Sequence, residues 1–410
     1  RRLEPFAAAA VTLLLALCPS LWVAVASGLE TPLVLLIQLG TWVLAERAVE
    51  EDEPRPAVTG LLALAVVSVL SRADGFITPL LAAGFLGLRG RWRAAFTVAG
   101  AALATFGGLA LIRLAYYGWP LPNTYYAKIA STLGPRLDHG WQQLLSAALG
   151  TGFIVYLCAF VIAGARALRG LSLRRRDLVP GLPFPVVFAA GWLAYYLYIG
   201  GDVFYDRFLL FLFPMGSFLL FTVAAESRHA WGPAVLAGLL AVLQLVALGT
   251  DPRFRYDLHK YDCWALLGHS LGREPRGTLL AVDAAGKIPF YSGLPTLDMY
   301  GLNDVHIAHV TAIPKGFFRV GHTKTDIPYV FSRRPGLIAT WLRNVWSLRP
   351  GPVPEPEICQ AHGYRLIYLL NMEPASRGSE DVLDVRTMDP DTIRRRVDDG
   401  YRYGVFGKMQ

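Results

Sequence analysis

The sequence predicts a polytopic α-helical membrane protein with a C-terminal extracytoplasmic α/β domain, and three observations support this fold class. Of the 410 residues, 54% are hydrophobic and 17% are charged, whereas a soluble domain usually has about 25% charged residues. The long apolar segments end near residue 250, and the loops between them alternate between basic and non-basic. We therefore expect a multi-pass membrane domain over residues 1–250 and a soluble domain over residues 251–410.

The composition excludes several classes of protein. A soluble chain of this size cannot bury so many apolar side chains, and a disordered chain needs low hydrophobicity and high charge. The net charge is +8, but only six of the 39 basic residues are lysines. Arginine-rich loops between apolar segments are typical of membrane topology. We therefore expect the lipid bilayer, and no nucleic acid, as a partner.

The membrane domain is predicted to contain nine apolar segments, several of them shorter than the roughly 20 residues that span a bilayer. Two short segments flank Ser71–Gly75, and at about 1.5 Å per residue they rise only some 20 Å. We expect this turn to lie below the membrane surface, where polar backbone must line a protein cavity or water. The nine segments are 6–26, 31–45, 57–71, 76–88, 94–116, 141–165, 182–198, 207–224 and 232–249.

The distribution of basic residues predicts the topology. Loops such as Arg89–Arg93 and Arg166–Asp177 hold almost all the basic residues of the membrane domain, and such loops stay in the cytoplasm. The opposite set of loops, which includes Arg72–Gly75 and Tyr117–Gly140, then faces outward. Everything after Thr250 is predicted to lie outside as well.

The C-terminal domain has short apolar runs separated by Gly, Pro and Asn. Gly277–Asp283 and Arg365–Asn371 are predicted to be buried strands, and Leu337–Leu342 is either a strand or a helix. Cys263 and Cys359 are compatible with a disulfide outside the cytoplasm or with two thiols. Because the sequence has no CxxC, HxxxH or HExxH motif, we expect no metal site built on cysteine.

Four clusters of polar residues occur in the predicted outward loops, and ionisable groups at membrane depth usually face a functional cavity. Simpler explanations exist for three of them. Glu30 could complement a helix dipole. Arg72 and Asp74 could form an ion pair that braces their turn, and Lys128 could extend to the membrane interface. The candidate residues are Glu30, Arg72, Asp74, Asn123, Tyr126, Lys128, Asp202, Asp206 and Arg207.

The motifs that carry these residues resemble those of bacterial GT-C membrane glycosyltransferases, whose best-known members are the terminal arabinofuranosyltransferases of the mycobacterial cell wall. The resemblance extends over residues 20–310, and Leu121–Lys128 is its most specific part. The matching motifs, in chain order, are Gly28–Thr31, Arg72–Gly75, Leu121–Lys128, Gly200–Phe208, Val282–Gly293 and Leu297–Asp304.

The resemblance implies a GT-C-like bundle in the bacterial cytoplasmic membrane with a periplasmic C-terminal domain. It also implies a polyprenyl-phosphate-linked sugar as donor and a cell-envelope glycan or lipid as acceptor. Members of the family carry a catalytic acidic residue in the first outward loop, and no such loop precedes the segments described above. We therefore expect the N-terminal helices and the main base to be missing from this chain.

The chemistry of such a transfer requires a carboxylate that accepts the proton of the acceptor hydroxyl and cations that stabilise the phosphate. We assign phosphate contacts to Arg72, Lys128 and Arg207, and sugar contacts to Asn123 and Tyr126. Asp74 and Asp202 are the candidate catalytic carboxylates. No cofactor is expected with certainty. A divalent cation is compatible with the two aspartates of Gly200–Phe208, but two carboxylates are too few to assign one.

The alternative from another functional class is a transporter or flippase of a lipid-linked solute. Broken helices and charges within the membrane occur in such proteins as well. The large outer domain and the lack of repeated halves in the sequence favour the transferase.

Overall fold

The computed structural model describes residues 4–51, 53–128, 133–169, 182–202, 206–225, 231–310, 321, 323–342, 354–372 and 381–409. The chain forms two compact units, which we call the helical unit and the sheet unit. The helical unit comprises Arg1–Pro122 and Leu133–Asp251, and the sheet unit comprises Asn123–Thr132 and Pro252–Gln410. The segment Asn123–Thr132, which the sequence places in the membrane domain, thus belongs to the sheet unit. Of the loops predicted to be cytoplasmic, Arg166–Asp177 from residue 170 onward and the loop 226–230 lie outside the described residues.

The helical unit consists of apolar helices, and its first described residues already belong to a helix. A 3₁₀ turn at Leu210–Leu212 leads into its second-last helix. Its helices are α1 (Glu4–Ala16), α2 (Pro19–Ala26), α3 (Thr31–Glu50), α4 (Arg55–Ser71), α5 (Ile77–Leu88), α6 (Trp92–Tyr117), α8 (Leu133–Gly150), α9 (Ile154–Arg169), α10 (Phe184–Ile199), α11 (Phe213–Ala225) and α12 (Gly232–Thr250).

Two of the predicted apolar segments, 6–26 and 141–165, each contain a bend. The first divides into α1 and α2 with a bend of 55°, and the second into α8 and α9 with a bend of 103°. Pro19 occupies the first position of α2 and cannot continue the hydrogen bonding of α1. Gly152 adopts a φ of 71° between α8 and α9, a left-handed conformation that terminates a helix.

Within the described residues, three helices are long and apolar enough to cross a membrane, namely α3, α6 and α12. The number rises to five if each bent pair forms one span. The surface of α6 remains strongly apolar: Phe96, Leu111 and Ile112 are each about two-thirds exposed. An exposed apolar surface of this kind is suited to lipid, so the helical unit is suited to association with a membrane.

The core of the helical unit contains a column of aromatic side chains along α10. Phe184, Phe188 and Trp192 are spaced four residues apart, which places them on one face of the helix. Phe188 and Trp192 stack with their ring centroids 5.6 Å apart. Trp192 also stacks on Phe208 and donates its indole N–H to the Phe208 carbonyl at 2.8 Å. This column fixes the position of Phe208 beyond the end of α10.

In the part of the chain that the structure describes, the sheet unit contains a six-stranded mixed sheet and seven short or medium helices. The strand order is β2-β1-β3-β6-β4-β5, in which β1 is parallel to β2 and β3, and β6 is antiparallel to β3 and β4. The strands are β1 (Leu280–Val282), β2 (Thr296–Asp298), β3 (Leu337–Trp341), β4 (Tyr364–Asn371), β5 (Val382–Asp384) and β6 (Tyr401–Lys408). The helices are α7 (Asn123–Lys128), α13 (Pro252–Leu271), α14 (Lys287–Ser292), α15 (Val305–His309), α16 (Ile327–Ser332), α17 (Pro356–Ala361) and α18 (Pro390–Asp398).

Both predicted strands occur in this sheet, and the ambiguous segment Leu337–Leu342 contains β3. Alternate residues of the strands contribute to two separate apolar cores, because successive side chains of a strand point to opposite faces. Cys263 packs in the core on one face, and Cys359 packs in the core on the other. The sheet therefore separates the two thiols, and neither forms a disulfide.

Candidate functional site

The turn between α4 and α5 is closed by contacts with Ser68 of the preceding helix. Arg72 leaves the helical conformation with φ −148° and ψ 151°. The Ser68 hydroxyl then donates to the Gly75 carbonyl at 2.7 Å. A side chain at Gly75 would begin 1.8 Å from the Ser68 carbonyl oxygen, so only glycine allows this approach. The turn holds the side chains of Arg72 and Asp74 beside the end of α4.

Arg72 connects three parts of the helical unit. Its Nε and Nη2 donate to the two carboxylate oxygens of Asp74 at 2.7 and 3.0 Å, and its Nη1 donates to Glu30 at 2.5 Å. The Tyr195 hydroxyl of α10 donates to Asp74 at 2.7 Å. The ion pair that braces the turn therefore exists, and it extends beyond the turn. Glu30 precedes α3 but accepts no cap hydrogen bond from that helix, so its carboxylate is engaged by Arg72 instead.

A second arginine–aspartate pair lies after α10. Two residues with positive φ, Gly200 and Gly201, end that helix in a tight turn. Arg207 then donates from Nε and Nη2 to the two oxygens of Asp202 at 2.8 and 3.1 Å. Both side chains are at most 7% exposed. This is the fork-to-fork geometry in which a guanidinium and a carboxylate bind most strongly.

The ring of Phe208 brings the two arginines together. The guanidinium carbon of Arg72 lies 5.0 Å from the ring centroid, and that of Arg207 lies 5.1 Å from it, distances typical of cation–π contacts. We call this group the Phe208 cluster. With three carboxylates and two guanidinium groups, its formal charge is −1. Its members are Glu30, Arg72, Asp74, Tyr195, Asp202, Arg207 and Phe208.

Asp206 lines a cavity of the helical unit. The cavity has a volume of about 30 Å³ and is also lined by Cys18, Tyr156 and Gln244, and its volume suits a single water molecule. Both carboxylate oxygens of Asp202, the other aspartate named as compatible with a cation, accept hydrogen bonds from Arg207.

The remaining predicted residues, Asn123, Tyr126 and Lys128, lie on α7 in the sheet unit. This helix packs against α15, where the ring of Tyr126 contacts the ring of His309 with 4.4 Å between centroids. The side chain of Lys128 passes close to Gly321. These three predicted site residues therefore form a second group, which lies in the sheet unit.

A group that the sequence did not predict consists of two residues of α13 and one residue that precedes β5. His259, Cys263 and Asp381 place one potential ligand atom each within 4.8 Å of one another. The imidazole Nε2 of His259 is 3.3 Å from the Cys263 sulfur. The local signal is the spacing His-x-x-x-Cys, which sets both side chains on one helix face. The third residue follows more than a hundred positions later, so sequence spacing could not identify it. The expectation that no metal site is built on cysteine stays a prediction, and this group is the place in the described residues where it can be tested.

The sheet unit also contains buried carboxylates at the carboxyl ends of two neighbouring parallel strands. Asp283, after β1, accepts a short hydrogen bond from the Tyr403 hydroxyl of β6. Burial raises the pKa of Asp283 to about 7. Asp298 ends β2 and accepts from the backbone N–H groups of Tyr300 and Asn303, and burial raises its pKa as well. Asp283 ends a segment that the sequence predicts to be a buried strand, whereas no prediction was made for the burial of Asp298.

Comparison with known proteins gives a match to a family model. A family model described as "Domain of unknown function (DUF8728)" matches residues 257–382, and the group on α13 lies inside that range. No curated protein and no solved structure matches the chain. The matched part of the chain is thus similar to a domain whose function is not described, and it lies within the sheet unit.

Proposed function

We propose that this protein is a multi-pass membrane glycosyltransferase. It would move a sugar from a polyprenyl-phosphate donor to a cell-envelope glycan or lipid acceptor at the outer face of the bacterial cytoplasmic membrane. The observation that carries the proposal is the Phe208 cluster, in which five charged side chains gather within a unit made of apolar helices. Charges in such surroundings are costly unless they serve a site or stabilise each other.

The two guanidinium groups suit the phosphate of the donor. Arg72 is held by Glu30 and Asp74, and Arg207 is held by Asp202. A guanidinium with a fixed orientation is preorganised for the charge that accumulates on the phosphate as the glycosidic bond breaks. Asp74 and Asp202 act in this scheme as positioning carboxylates.

The carboxylates of the cluster also support the proposal. Transfer to a hydroxyl needs a carboxylate that accepts its proton. The Glu30 side chain is 38% exposed, compared with 16% for Asp74 and 5% for Asp202. Glu30 is therefore the carboxylate of the cluster that an acceptor reaches most easily.

The apolar helices supply the surroundings that a lipid-linked donor requires. Its polyprenyl tail would lie in the bilayer beside α3, α6 and α12, while its head group enters from outside. Lys128 stays a predicted phosphate contact, and Asn123 and Tyr126 stay predicted sugar contacts on the outer side.

The test is sugar transfer by the purified protein in lipid nanodiscs. A panel of polyprenyl-phosphate sugars is supplied, and release of polyprenyl phosphate is measured with and without a glycan acceptor. The informative variant replaces a whole ion pair, Asp202→Asn with Arg207→Gln, so that no buried charge is left alone. Because loss of one oriented donor typically slows an enzyme by about 10²–10³-fold, we expect turnover to fall at least 100-fold.

The matched control is a second ion pair of the helical unit, that of Glu46 and Arg89. The double variant Glu46→Gln, Arg89→Gln should keep its turnover. Equal losses in both double variants, or no donor turnover by the unmodified protein, would contradict the proposal. Movement of intact lipid-linked sugar across a sealed vesicle, without release of polyprenyl phosphate, would favour the transporter instead.

A further inference from the structure

We propose that His259, Cys263 and Asp381 bind a divalent transition-metal ion of the zinc type in the sheet unit. This inference concerns a site outside the Phe208 cluster, and it does not depend on the proposed sugar transfer. Among the residues that the structure describes, this group alone brings three His, Cys, Asp or Glu side chains within reach of one ion.

The helix positions two of the ligands. His259 and Cys263 are four residues apart on α13, so their side chains lie one turn apart on the same face. In a tetrahedral site with a nitrogen about 2.0 Å and a sulfur about 2.3 Å from zinc, these two atoms lie roughly 3.5 Å apart. The observed distance between Nε2 and Sγ is 3.3 Å. The separation of the two atoms therefore already matches that of two ligands of one zinc ion.

The third ligand comes from the edge of the sheet. Asp381 immediately precedes β5, the last strand in the sheet order. Its backbone carbonyl accepts from the Asn371 N–H at 2.8 Å, which fixes its backbone beside the end of β4. The carboxylate lies within 4.8 Å of the other two ligand atoms, so a small side-chain rotation brings it to an ion at the centre of the group.

The ligand chemistry selects the ion. Calcium and magnesium prefer sites made of oxygen ligands, whereas an imidazole, a thiolate and a carboxylate together suit zinc. One thiolate and one carboxylate offset the two positive charges of the ion. This balance matters because Cys263 is fully buried, and a buried charge needs an opposite charge beside it.

Three protein ligands leave the fourth tetrahedral position for water or another small ligand. A neighbouring cavity of about 370 Å³ supplies access, because Asp381 lines it together with Leu266 and Ser270. Leu266 and Ser270 continue the helix face of His259 and Cys263 at steps of three and four residues. The bound ion would thus connect α13 to the edge strand β5 and keep one position open toward this cavity.

The test uses the full-length protein, stripped of metal with a chelator and then titrated with Zn²⁺ in a calorimeter. We expect one equivalent to bind. Co²⁺ in place of zinc should give a thiolate-to-cobalt charge-transfer band and the intense visible bands of a tetrahedral site. Since loss of a group that merely orients a ligand already weakens metal binding by about 10- to 100-fold, Cys263→Ser, His259→Gln and Asp381→Asn should each weaken Zn²⁺ binding at least that much.

The matched control is Cys359→Ser, which changes an equally buried cysteine on the opposite face of the sheet. It should leave the Zn²⁺ affinity and the cobalt spectrum unchanged. Circular dichroism of the metal-free variants separates loss of ligands from loss of fold. Absence of stoichiometric binding by the unmodified protein, or an undiminished cobalt charge-transfer band in Cys263→Ser, would overturn the proposal and leave a hydrogen-bonded His–Cys pair.

Discussion

The two units hold their buried carboxylates in different ways. In the helical unit, Asp74 and Asp202 are each bound by both sides of a guanidinium fork. In the sheet unit, Asp283 is bound by a tyrosine hydroxyl and Asp298 by two backbone N–H groups. The first arrangement keeps opposite charges together, and the second surrounds a carboxylate with neutral donors. We therefore expect the helical unit to respond most to loss of a partner and the sheet unit to respond most to pH.

The largest effect is expected from Arg207→Ala. The substitution leaves Asp202 buried without its guanidinium, and breaking a buried ion pair from one side typically costs about 3–5 kcal/mol. The free energy of unfolding of the helical unit should fall by that amount, as measured by denaturation in detergent. The added substitution Asp202→Asn removes the charge and should restore most of the loss. Equal stability of Arg207→Ala and of the double variant Arg207→Ala, Asp202→Asn would show that the unpaired Asp202 carboxylate costs little.

A smaller effect is expected from the titration of Asp283. Its folded pKa of about 7 lies above the usual carboxyl value, so the folded state binds a proton that the unfolded state has released. The stability of the sheet unit should therefore be highest near pH 4, fall as the pH rises to about 7, and then become level. At about 1.4 kcal/mol per unit of pKa, a shift of about three units corresponds to at most about 4 kcal/mol.

Hydrogen exchange of β1 and β6 amides between pH 4 and pH 8, corrected for the intrinsic exchange rates, measures this dependence. In Asp283→Asn the fall of stability with pH should become much shallower. The raised pKa of Asp298 still contributes a remainder in the same direction. In Tyr403→Phe the carboxylate loses its donor, so the destabilisation should be larger at pH 8 than at pH 5. A slope of undiminished size in Asp283→Asn would assign it to another group.

The smallest effect is expected at Asp304, which caps α15. Its carboxylate accepts from the Ile307 N–H at 2.9 Å and from the Tyr329 hydroxyl at 3.2 Å. Loss of such a cap typically costs about 1 kcal/mol, so Asp304→Ala should destabilise the sheet unit by about that amount. Thermal unfolding that follows the sheet unit measures it, and Asp304→Asn, which retains a cap oxygen, should lose less. A loss as large as that of Arg207→Ala would contradict the distinction between the two units.

The sequence predicts those features that depend on neighbouring residues. The turn at Ser71–Gly75 follows from a short polar run between two apolar runs, and the structure has α4 and α5 on either side of it. The same reasoning fails at Gly152, where an apolar pattern continues through a bend of 103°. Hydropathy averages over a single left-handed residue, so a window of apolar residues cannot show that a helix ends inside it.

Features that depend on distant pairing could not be predicted. Leu337–Leu342 is apolar enough for a helix or a strand, and it becomes β3 because β1 and β6 pair with it on both sides. The Phe208 cluster required that the ends of α3, α4 and α10 meet, and the motifs named its charged members without showing that Phe208 lies between the two arginines. Tyr195 was missed because a tyrosine within an apolar helix gives no signal of a polar role.

The insertion of α7 into the sheet unit has a consequence for biosynthesis. Asn123–Lys128 leaves the ribosome long before α15, the helix against which it packs, has been translated. A contact between segments so far apart in the sequence forms late, because closing the intervening loop costs entropy that other contacts must offset. The sheet unit therefore cannot complete its folding as an independent C-terminal segment during synthesis. A fragment that starts at Pro252 would lack one of its helices, so recombinant fragments of this unit should supply residues 123–132 as a separate peptide or a fused segment.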